Sequence, residues 1–214
     1  MNLVAEKYVE QQSRWPREGR HILAQFDAET IVVYQAYRPG IARYAVANGH
    51  FGGSKFDFGR MSWIKPTFLW MMYRSGWATK ENQETVLAVR IRRAGFEEIL
   101  RQAVPSTYCS ELYADKFVWQ KSLSDSCVRL QWDPDHDPRG EKLPRRAIQL
   151  GLRREVLESY GGSWIVSIED ITDFVHEQHA ALNSQGVDAL MTPKEEVYPV
   201  EDSAIRRGLG LSYA

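Results

Sequence analysis

The chain contains very little cysteine and no excess of charge of either sign. Its 214 residues include two cysteines, Cys109 and Cys127, and 27 basic residues against 28 acidic ones. Two thiols that form no Cys-x-x-Cys motif predict reduced cysteines and no disulfide framework. The formal net charge of −1 argues against non-specific binding of nucleic acid by the whole surface. A protein with this net charge can still have a local basic surface.

Long apolar runs and targeting signals are also lacking. The first twenty residues, MNLVAEKYVEQQSRWPREGR, are charged throughout and lack the apolar run that a signal peptide needs. The segment MMYRSGW is too short and too polar at its ends to span a bilayer. We therefore predict a cytoplasmic protein that has no membrane partner.

The motifs of several common catalytic sites are missing. The sequence has no G-x-G-x-x-G or Walker-type phosphate loop, no G-x-S-x-G nucleophile elbow and no HExxH motif. His176 and His179 lie one helical turn apart, but such a pair is more typical of a solvated helix surface than of a metal site. The acidic loop DPDHDP lacks the glycine and the terminal glutamate of an EF-hand loop at the required spacing. The sequence therefore predicts neither a bound metal nor a catalytic triad.

The order of the predicted elements is typical of an α+β fold. Residues 1–20 are predicted to be an N-terminal lead-in, residues 20–190 a single globular domain, and residues 191–214 a C-terminal tail. Strand-like and helix-like segments are interleaved without regular alternation, which argues against a doubly wound parallel sheet. We predict a central, mostly antiparallel split sheet with flanking helices.

Turn and capping residues locate the elements that follow the lead-in. HILAQF and TIVVYQAY are typical of two strands in a hairpin. Pro39 suits the start of a helix, and Asn48-Gly49 suits its end. HFGGSKFDFGR follows as a glycine-bearing loop of the kind that often lies over a site.

The most aromatic stretch, MSWIKPTFLWMMYRSGWA (61–78), combines residues typical of a core with residues typical of a site. Pro66 suits the first position of a helix, and Gly76 is a natural stop. We therefore predict a loop, a buried helix and a second loop. The run from Phe68 to Met72 suits the core, whereas the ends of the stretch supply candidates for the wall of a site: Ser62, Lys65, Tyr73 and Arg74.

Aromatic and basic side chains elsewhere extend this candidate site. Arginine forks suit phosphate oxygens, and aromatic rings offer flat faces to a base or a nicotinamide. The residues concerned are Tyr34, Tyr37 and Arg38 near the end of one predicted strand, and Arg145 and Arg146 before another. Together with the aromatic stretch they predict a nucleotide site. Two alternatives remain open: a non-catalytic module that binds nucleotides or nucleic acid, and a purely structural aromatic core with a protein partner.

Six segments of the chain together resemble a known family. They are TIVVYQAYRPGIARYAVANGHF, MSWIKPTFLWMMYRSGWATK, VLAVRIRRAGFE, VRLQWDPDHDP, LPRRAIQLGL and WIVSIEDIT. These segments are similar to the successive blocks of the bacterial and fungal family catalogued as domain of unknown function 4291. The resemblance covers residues 20–190, and its most specific block extends from Ser62 to Trp77. It implies no activity, because the family has no established one.

A more distant resemblance is to ADP-ribosyltransferase-like folds. The order VYQAY, helix, NGHF is similar to their opening, in which a strand with a histidine or arginine that grips NAD precedes a helix and a glycine. In that alignment Gln35 takes the position of the histidine or arginine, and Arg38 contacts phosphate or ribose. Tyr73 or Ser75 corresponds to the middle motif, and Gln149 falls where the catalytic glutamate of a late strand is expected.

This second resemblance implies an NAD-dependent transferase, with NAD as its substrate and a protein or nucleic acid as the acceptor. Catalytic roles then fall to Gln149, Arg38 and Tyr73, and nucleotide-binding roles to Tyr34, Gln35, Tyr37, Ser62, Lys65, Arg74 and Arg146. A glutamine can make the same hydrogen bond to ribose as the catalytic glutamate. It lacks the negative charge with which the glutamate stabilises an oxocarbenium-like cation. A glutamate from elsewhere, Glu155 or Glu169, is an alternative source of that charge. The substitution keeps the non-catalytic module as the alternative function.

Overall fold

The computed structural model describes residues 3–212 and confirms the predicted α+β class. Within this range the chain forms eight α-helices and twelve β-strands. The helices are α1 (Tyr8–Arg14), α2 (Pro39–Asn48), α3 (Phe68–Ser75), α4 (Arg93–Arg101), α5 (Lys116–Asp125), α6 (Arg154–Gly161), α7 (Thr172–Gln185) and α8 (Ser203–Leu209). The strands are β1 (Ala5–Lys7), β2 (Gly19–Arg20), β3 (Leu23–Ala24), β4 (Thr30–Tyr37), β5 (Ser62–Ile64), β6 (Thr85–Arg92), β7 (Ala103–Pro105), β8 (Val128–His136), β9 (Lys142–Leu152), β10 (Ile165–Asp170), β11 (Met191–Pro193) and β12 (Glu196–Val197). None of these helices has both the length and the apolar character that crossing a membrane requires.

The first sheet contains three antiparallel strands in the order β10, β6 and β4. β4 and β6 are rich in β-branched and aliphatic residues and are buried on both faces over most of their length. Val33 and Leu87 belong to one hydrophobic cluster, whereas Tyr34 and Ala88 belong to a second. The sheet therefore lies between two cores, because successive side chains of a strand face opposite sides.

The second sheet is mixed and curls into a half-barrel. β8 and β9 form a long antiparallel hairpin, and β7 runs parallel to β8. β2 runs parallel to β9, and β5 pairs antiparallel with the end of β9, where Ser62 lies opposite Leu152. The parallel pairs are not predicted from the sequence, because strand-like patterns do not specify the direction of the partner strand.

An isolated backbone bridge between Tyr34 and Lys65 connects the two sheets. The Tyr34 N–H donates to the Lys65 carbonyl oxygen over 2.7 Å, and the Lys65 N–H donates to the Tyr34 carbonyl oxygen over 3.2 Å. Tyr34 belongs to β4 of the first sheet, and Lys65 directly follows β5 of the second. The strand path therefore continues from one sheet into the other through this bridge.

Several predicted elements occur with altered boundaries. The helix Pro39–Asn48 is confirmed, and Gly49 ends it in the left-handed conformation at φ 71°. The first loop of the aromatic stretch contains β5, and the buried helix begins at Phe68, two residues after Pro66, because Thr67 still has extended backbone angles. The predicted hairpin is reduced to one bridge, between Phe26 and Ile31, since β3 pairs with β12 instead.

Both ends of the described chain pack onto the domain. Tyr8 of α1 is buried, and β1 pairs with β11. The predicted C-terminal tail instead contains β11, β12 and α8, of which Ile205 and Leu209 join the first hydrophobic cluster. Such packing depends on contacts distant in sequence, which polarity alone does not reveal. Residues 1–2 and 213–214 of the predicted lead-in and tail lie outside the described residues.

Glu195 is a buried carboxylic acid that holds several elements together. Its side chain is 2% exposed, and its Oε1 accepts a 2.6 Å hydrogen bond from the Phe68 N–H at the start of α3. Its backbone accepts from the Trp15 indole and donates to the Gln11 side chain. Burial raises the pKa of Glu195 well above its ordinary value, although the bond from Phe68 opposes this effect. The protonated acid is therefore favoured in the folded protein.

We expect Glu195→Gln to increase the free energy of unfolding at pH 8, because the amide keeps an acceptor for Phe68 and cannot ionise. A carboxyl group whose pKa is higher in the folded than in the unfolded protein stabilises the folded state fully at pH values below its pKa in the unfolded protein. This stabilisation is lost as the pH rises through its pKa in the folded protein. The difference between variant and parent should therefore vanish near pH 4. Urea denaturation at both pH values measures it. Exposed Glu196 provides the control Glu196→Gln, and a gain at pH 4 equal to that at pH 8 would contradict the interpretation.

Candidate functional site

An open cavity of about 1080 Å³ lies beside the junction of the two sheets. Its walls come from the end of β4, the loop of residues 49–61, β5 and α3. Gln131 and Gln149 of the β8–β9 hairpin also line it, as do Ile41 of α2 and the residues Asn82 and Gln83 that precede β6. Because both sheets contribute, side chains that are distant in sequence meet around one volume, as a binding site requires.

Seven of the ten residues to which the sequence assigns catalytic or nucleotide-binding roles line this cavity. They are Gln35, Tyr37, Arg38, Ser62, Lys65, Arg74 and Gln149. The structure therefore brings together residues from both ends of the aromatic stretch, from β4 and from β9. Tyr34, Tyr73 and Arg146 are not among the residues that line it.

Tyr34 and Tyr73 lie in other surroundings. Tyr34 faces away from Gln35 along β4, is 0% exposed and packs against Phe68 with ring centroids 5.5 Å apart. Its hydroxyl has no hydrogen-bond partner among the described residues. Tyr73 stacks on the buried His136 with ring centroids 3.5 Å apart, beside a smaller cavity of about 250 Å³. Both tyrosines thus make packing contacts outside the large cavity.

The two arginines of β9 also face elsewhere. Arg146 is exposed and lies three residues before Gln149, an odd spacing that places the two on opposite faces of the strand. Arg145 is buried, and its Nη2 lies 2.6 Å from the Asp135 carboxylate. Its guanidinium therefore serves an internal ion pair.

The polar network around Gln35 forms part of the cavity wall. The Tyr160 hydroxyl donates to Gln35 Oε1 over 2.7 Å, and Gln35 Nε2 lies 2.8 Å from both the Tyr37 hydroxyl and Ser62 Oγ. Those two oxygens lie 2.6 Å apart, and either can donate to the other. Burial raises the pKa of Tyr37 to about 12, so its hydroxyl stays neutral. The network is saturated internally and fixes the end of β4 against β5.

The charges around the cavity are mainly positive. Five basic side chains line it: Arg38, Lys55, Arg60, Lys65 and Arg74. Asp57 is the acidic residue of the lining, and none of the five cations forms an ion pair with a carboxylate in residues 3–212. No group of three or more His, Cys, Asp or Glu residues in that range could hold a metal ion. The arrangement suits an anionic ligand.

Lys65 is the most deeply buried of these cations. Its exposed fraction is 4%, and no hydrogen bond joins its ammonium group to another described residue. Burial lowers the pKa of Lys65 to about 7, and the nearby Arg74 lowers it further, whereas Asp133 opposes the effect. A buried amine that titrates near neutral pH is a recognised feature of functional sites.

Gln149 is held by two neighbours on β8. Its Nε2 donates to Asp133 Oδ2 over 2.7 Å and to Gln131 Oε1 over 2.8 Å. Both N–H bonds of Gln149 are thus used, which leaves its Oε1 as an acceptor and the Gln131 Nε2 as a donor. The floor of the cavity therefore offers an adjacent acceptor and donor to a ligand.

Sequence reasoning missed four residues of this arrangement. Lys55 and Arg60 lie in HFGGSKFDFGR, the glycine-bearing loop that the sequence predicts to lie over a site. Gln131 and Asp133 reach Gln149 only through the register of the β8–β9 hairpin, in which Gln131 lies opposite Gln149. The loop was an available signal, whereas the hairpin register was not.

Comparison with protein families places these residues in a larger group. A family model described as Domain of unknown function (DUF4291) matches residues 21–198. The chain belongs to this family. The match confirms the resemblance of the six sequence segments and covers β4, the cavity loop and the β8–β9 hairpin. No curated protein matches the chain. Membership of the DUF4291 family assigns no activity, so the resemblance to ADP-ribosyltransferase-like folds stays a prediction.

We expect Tyr160→Phe in this DUF4291 domain to reduce the free energy of unfolding by about 1 to 3 kcal/mol, because it leaves Gln35 Oε1 buried without a donor. Urea denaturation followed by tryptophan fluorescence measures the loss. Tyr44→Phe is the matched control, since the half-buried Tyr44 hydroxyl has no hydrogen bond to the described residues, and its effect should stay within about 0.5 kcal/mol. Equal losses in both variants would show that the hydroxyl of Tyr160 has no special role.

Proposed function

We propose that this protein binds a nucleotide through its phosphates in the large cavity, with NAD as the first candidate. The observation that carries the proposal is the set of five cations that line the cavity without carboxylate partners in the described chain. Cations held together in a concave site repel one another unless an anion binds between them. Arginine and lysine side chains are also the usual ligands of phosphate oxygens.

The remaining lining suits the other parts of a nucleotide. Tyr37, Phe56 and Trp63 provide aromatic surface for a base or a nicotinamide. Gln149 Oε1 can accept a hydrogen bond from the N–H of a carboxamide or a base edge, and Gln131 Nε2 can donate one to its oxygen or nitrogen acceptor. A volume of about 1080 Å³ lies at the upper end of small-molecule sites, which favours a dinucleotide over a mononucleotide.

A nucleic-acid ligand is less well supported by the same observations. Extended nucleic acids are held by a basic groove that follows their backbone, and their binding weakens steeply with salt. Here the cations surround one bounded cavity in a chain whose formal net charge is −1. We therefore favour a small nucleotide and treat RNA as a comparison ligand.

We expect NAD and ADP-ribose to raise the melting temperature of the protein, because a ligand that binds the folded state stabilises it by mass action. In calorimetric titrations Arg38→Ala should weaken the binding about tenfold or more, the loss typical of a charge-assisted hydrogen bond. Arg146→Ala is the matched control, since Arg146 is exposed outside the cavity and its removal should leave the affinity unchanged.

Three results would contradict this proposal in different ways. A melting shift with short single-stranded RNA but not with NAD, ADP-ribose or ATP would favour the nucleic-acid module. Equal losses of affinity in Arg38→Ala and Arg146→Ala would remove the cavity as the site. No shift with any of the four ligands would favour a structural aromatic core and a protein partner.

A second candidate function, ADP-ribosyl transfer from NAD, rests on the carboxylate beside Gln149. Glu155, Glu169 and Asp133 are not among the residues that line the cavity, but Asp133 Oδ2 lies 2.7 Å from Nε2 of the lining residue Gln149. In such a reaction the bond between nicotinamide and ribose breaks, its electrons leave with nicotinamide, and positive charge develops on the ribose. A nucleophilic atom of the protein or nucleic-acid acceptor then bonds to the anomeric carbon of the ribose and releases its proton to solvent. Gln149 Oε1 would accept a hydrogen bond from a ribose hydroxyl, and the negative charge of Asp133 behind it would stabilise the developing cation.

For this second candidate we expect Asp133→Asn to lower the rate of nicotinamide release by about 10²- to 10³-fold while the affinity for NAD changes by less than about threefold. The variant keeps an acceptor for Gln149 and removes the charge. Asp57→Asn is the control, because Asp57 lines the cavity at the loop and should affect release only weakly. Wild-type protein that binds NAD and releases no nicotinamide would establish the non-catalytic module instead.

A further inference from the structure

The burial of Lys65 leaves a charge without a partner in the cavity. The side chain is 4% exposed and lines the cavity, and its ammonium group has neither a hydrogen bond nor an ion pair within the described chain. Buried ammonium groups are normally paired, because removal from water disfavours the charged form. The Lys65 Nζ atom is not among the buried polar atoms that lack a partner, so it faces the open cavity, where an anionic ligand can pair with it.

The surroundings of Lys65 define the charge of that ligand. Arg74 of α3 disfavours the charged amine, and Asp133 of β8 favours it, although the Asp133 carboxylate is already engaged by Gln149. The other titratable or charged groups of the cavity lining are Tyr37 and Arg38 at the end of β4 and Lys55, Asp57 and Arg60 of the loop. Positive groups predominate, so an anion that reaches Lys65 meets a favourable field on several sides.

We infer that Lys65 and Arg74 together form the subsite for the phosphate portion of the ligand, and that binding there is coupled to proton uptake by Lys65. The inference rests on the proposed function in assuming that the ligand carries phosphate. A doubly charged group between the two side chains supplies the missing partner of Lys65 and favours its ammonium form. The proton comes from the solvent, and no covalent bond forms or breaks.

The size of the effect follows from the state of the free amine. With a pKa of about 7, Lys65 is mostly neutral at pH 8 in the free protein and mostly charged at pH 6. Binding should therefore take up about 0.9 proton at pH 8 and about 0.1 proton at pH 6, if the bound amine is fully charged. Affinity should fall with rising pH, since protonation then has to accompany binding.

Calorimetric titration with ADP-ribose at pH 8, in buffers of different ionisation enthalpy, measures this proton uptake. ADP-ribose is a suitable probe because each phosphate of its pyrophosphate is esterified once and has no proton to lose near neutral pH. Lys65→Arg should bind without proton uptake, since a guanidinium is always charged. Lys65→Met should bind about 10- to 100-fold more weakly and also take up no proton. Lys55→Met removes an exposed cation of the same cavity and should retain the uptake of the parent protein.

The outcomes separate this inference from the proposed function. Tight binding of ADP-ribose without proton uptake from pH 6 to pH 9 would overturn the role of Lys65 and leave nucleotide binding intact. If ADP-ribose does not bind, the sulfate ion tests the subsite directly, because it keeps its double charge across this pH range. The inference is supported if sulfate protects the parent protein against thermal unfolding at pH 6 but not at pH 8.5, and protects Lys65→Arg at both pH values. Sulfate protection that is independent of pH would refute it. If both Lys65 variants unfold, the pH dependence of proton uptake by the parent protein decides alone.

Discussion

The arrangement of the molecule depends on the two hydrogen bonds between Tyr34 and Lys65, because they continue the strand path from one sheet into the other. Pro66 follows immediately and has no backbone N–H, so the strand pairing ends there. The Thr67 hydroxyl then donates to the Leu23 carbonyl oxygen over 3.1 Å, and the chain enters α3. The cavity lies where the sheets meet, and the same residue pair that joins them also fixes Lys65 in its wall.

The bridge between Tyr34 and Lys65 explains why a lysine occupies a largely buried position directly after β5. Ile64 and Lys65 alternate, so that Ile64 enters the first hydrophobic cluster while Lys65 lines the cavity. The backbone of Lys65 is held in the bridge, and its side chain lines the open cavity. Burying an ammonium group without a partner opposes folding, and local conflicts of this kind are concentrated at functional sites.

Local signals predict part of this arrangement and non-local contacts decide the rest. Pro39 and Gly49 mark the ends of α2 through their own backbone preferences, which act without distant partners. The strand pattern of TIVVYQAY indicates that Tyr34 and Gln35 face opposite sides, but only the packing of α3 decides that Tyr34 enters the core. The contact between Asp133 and Gln149 depends on the hairpin register, which follows from the pairing of whole strands.

Tyr160 connects the cavity loop to the wall of the site and so extends the influence of the junction. Its ring stacks on Phe51 with centroids 5.8 Å apart, and Phe51 stacks in turn on Phe56 over 5.0 Å. Its hydroxyl holds Gln35, the residue that follows Tyr34 in β4. The Phe51 N–H also donates to the Gly161 carbonyl oxygen over 2.8 Å. The loop that carries Lys55 is therefore anchored to the same buried group that fixes the end of β4, and the cations of the loop and of the sheet junction keep a defined relation to one another.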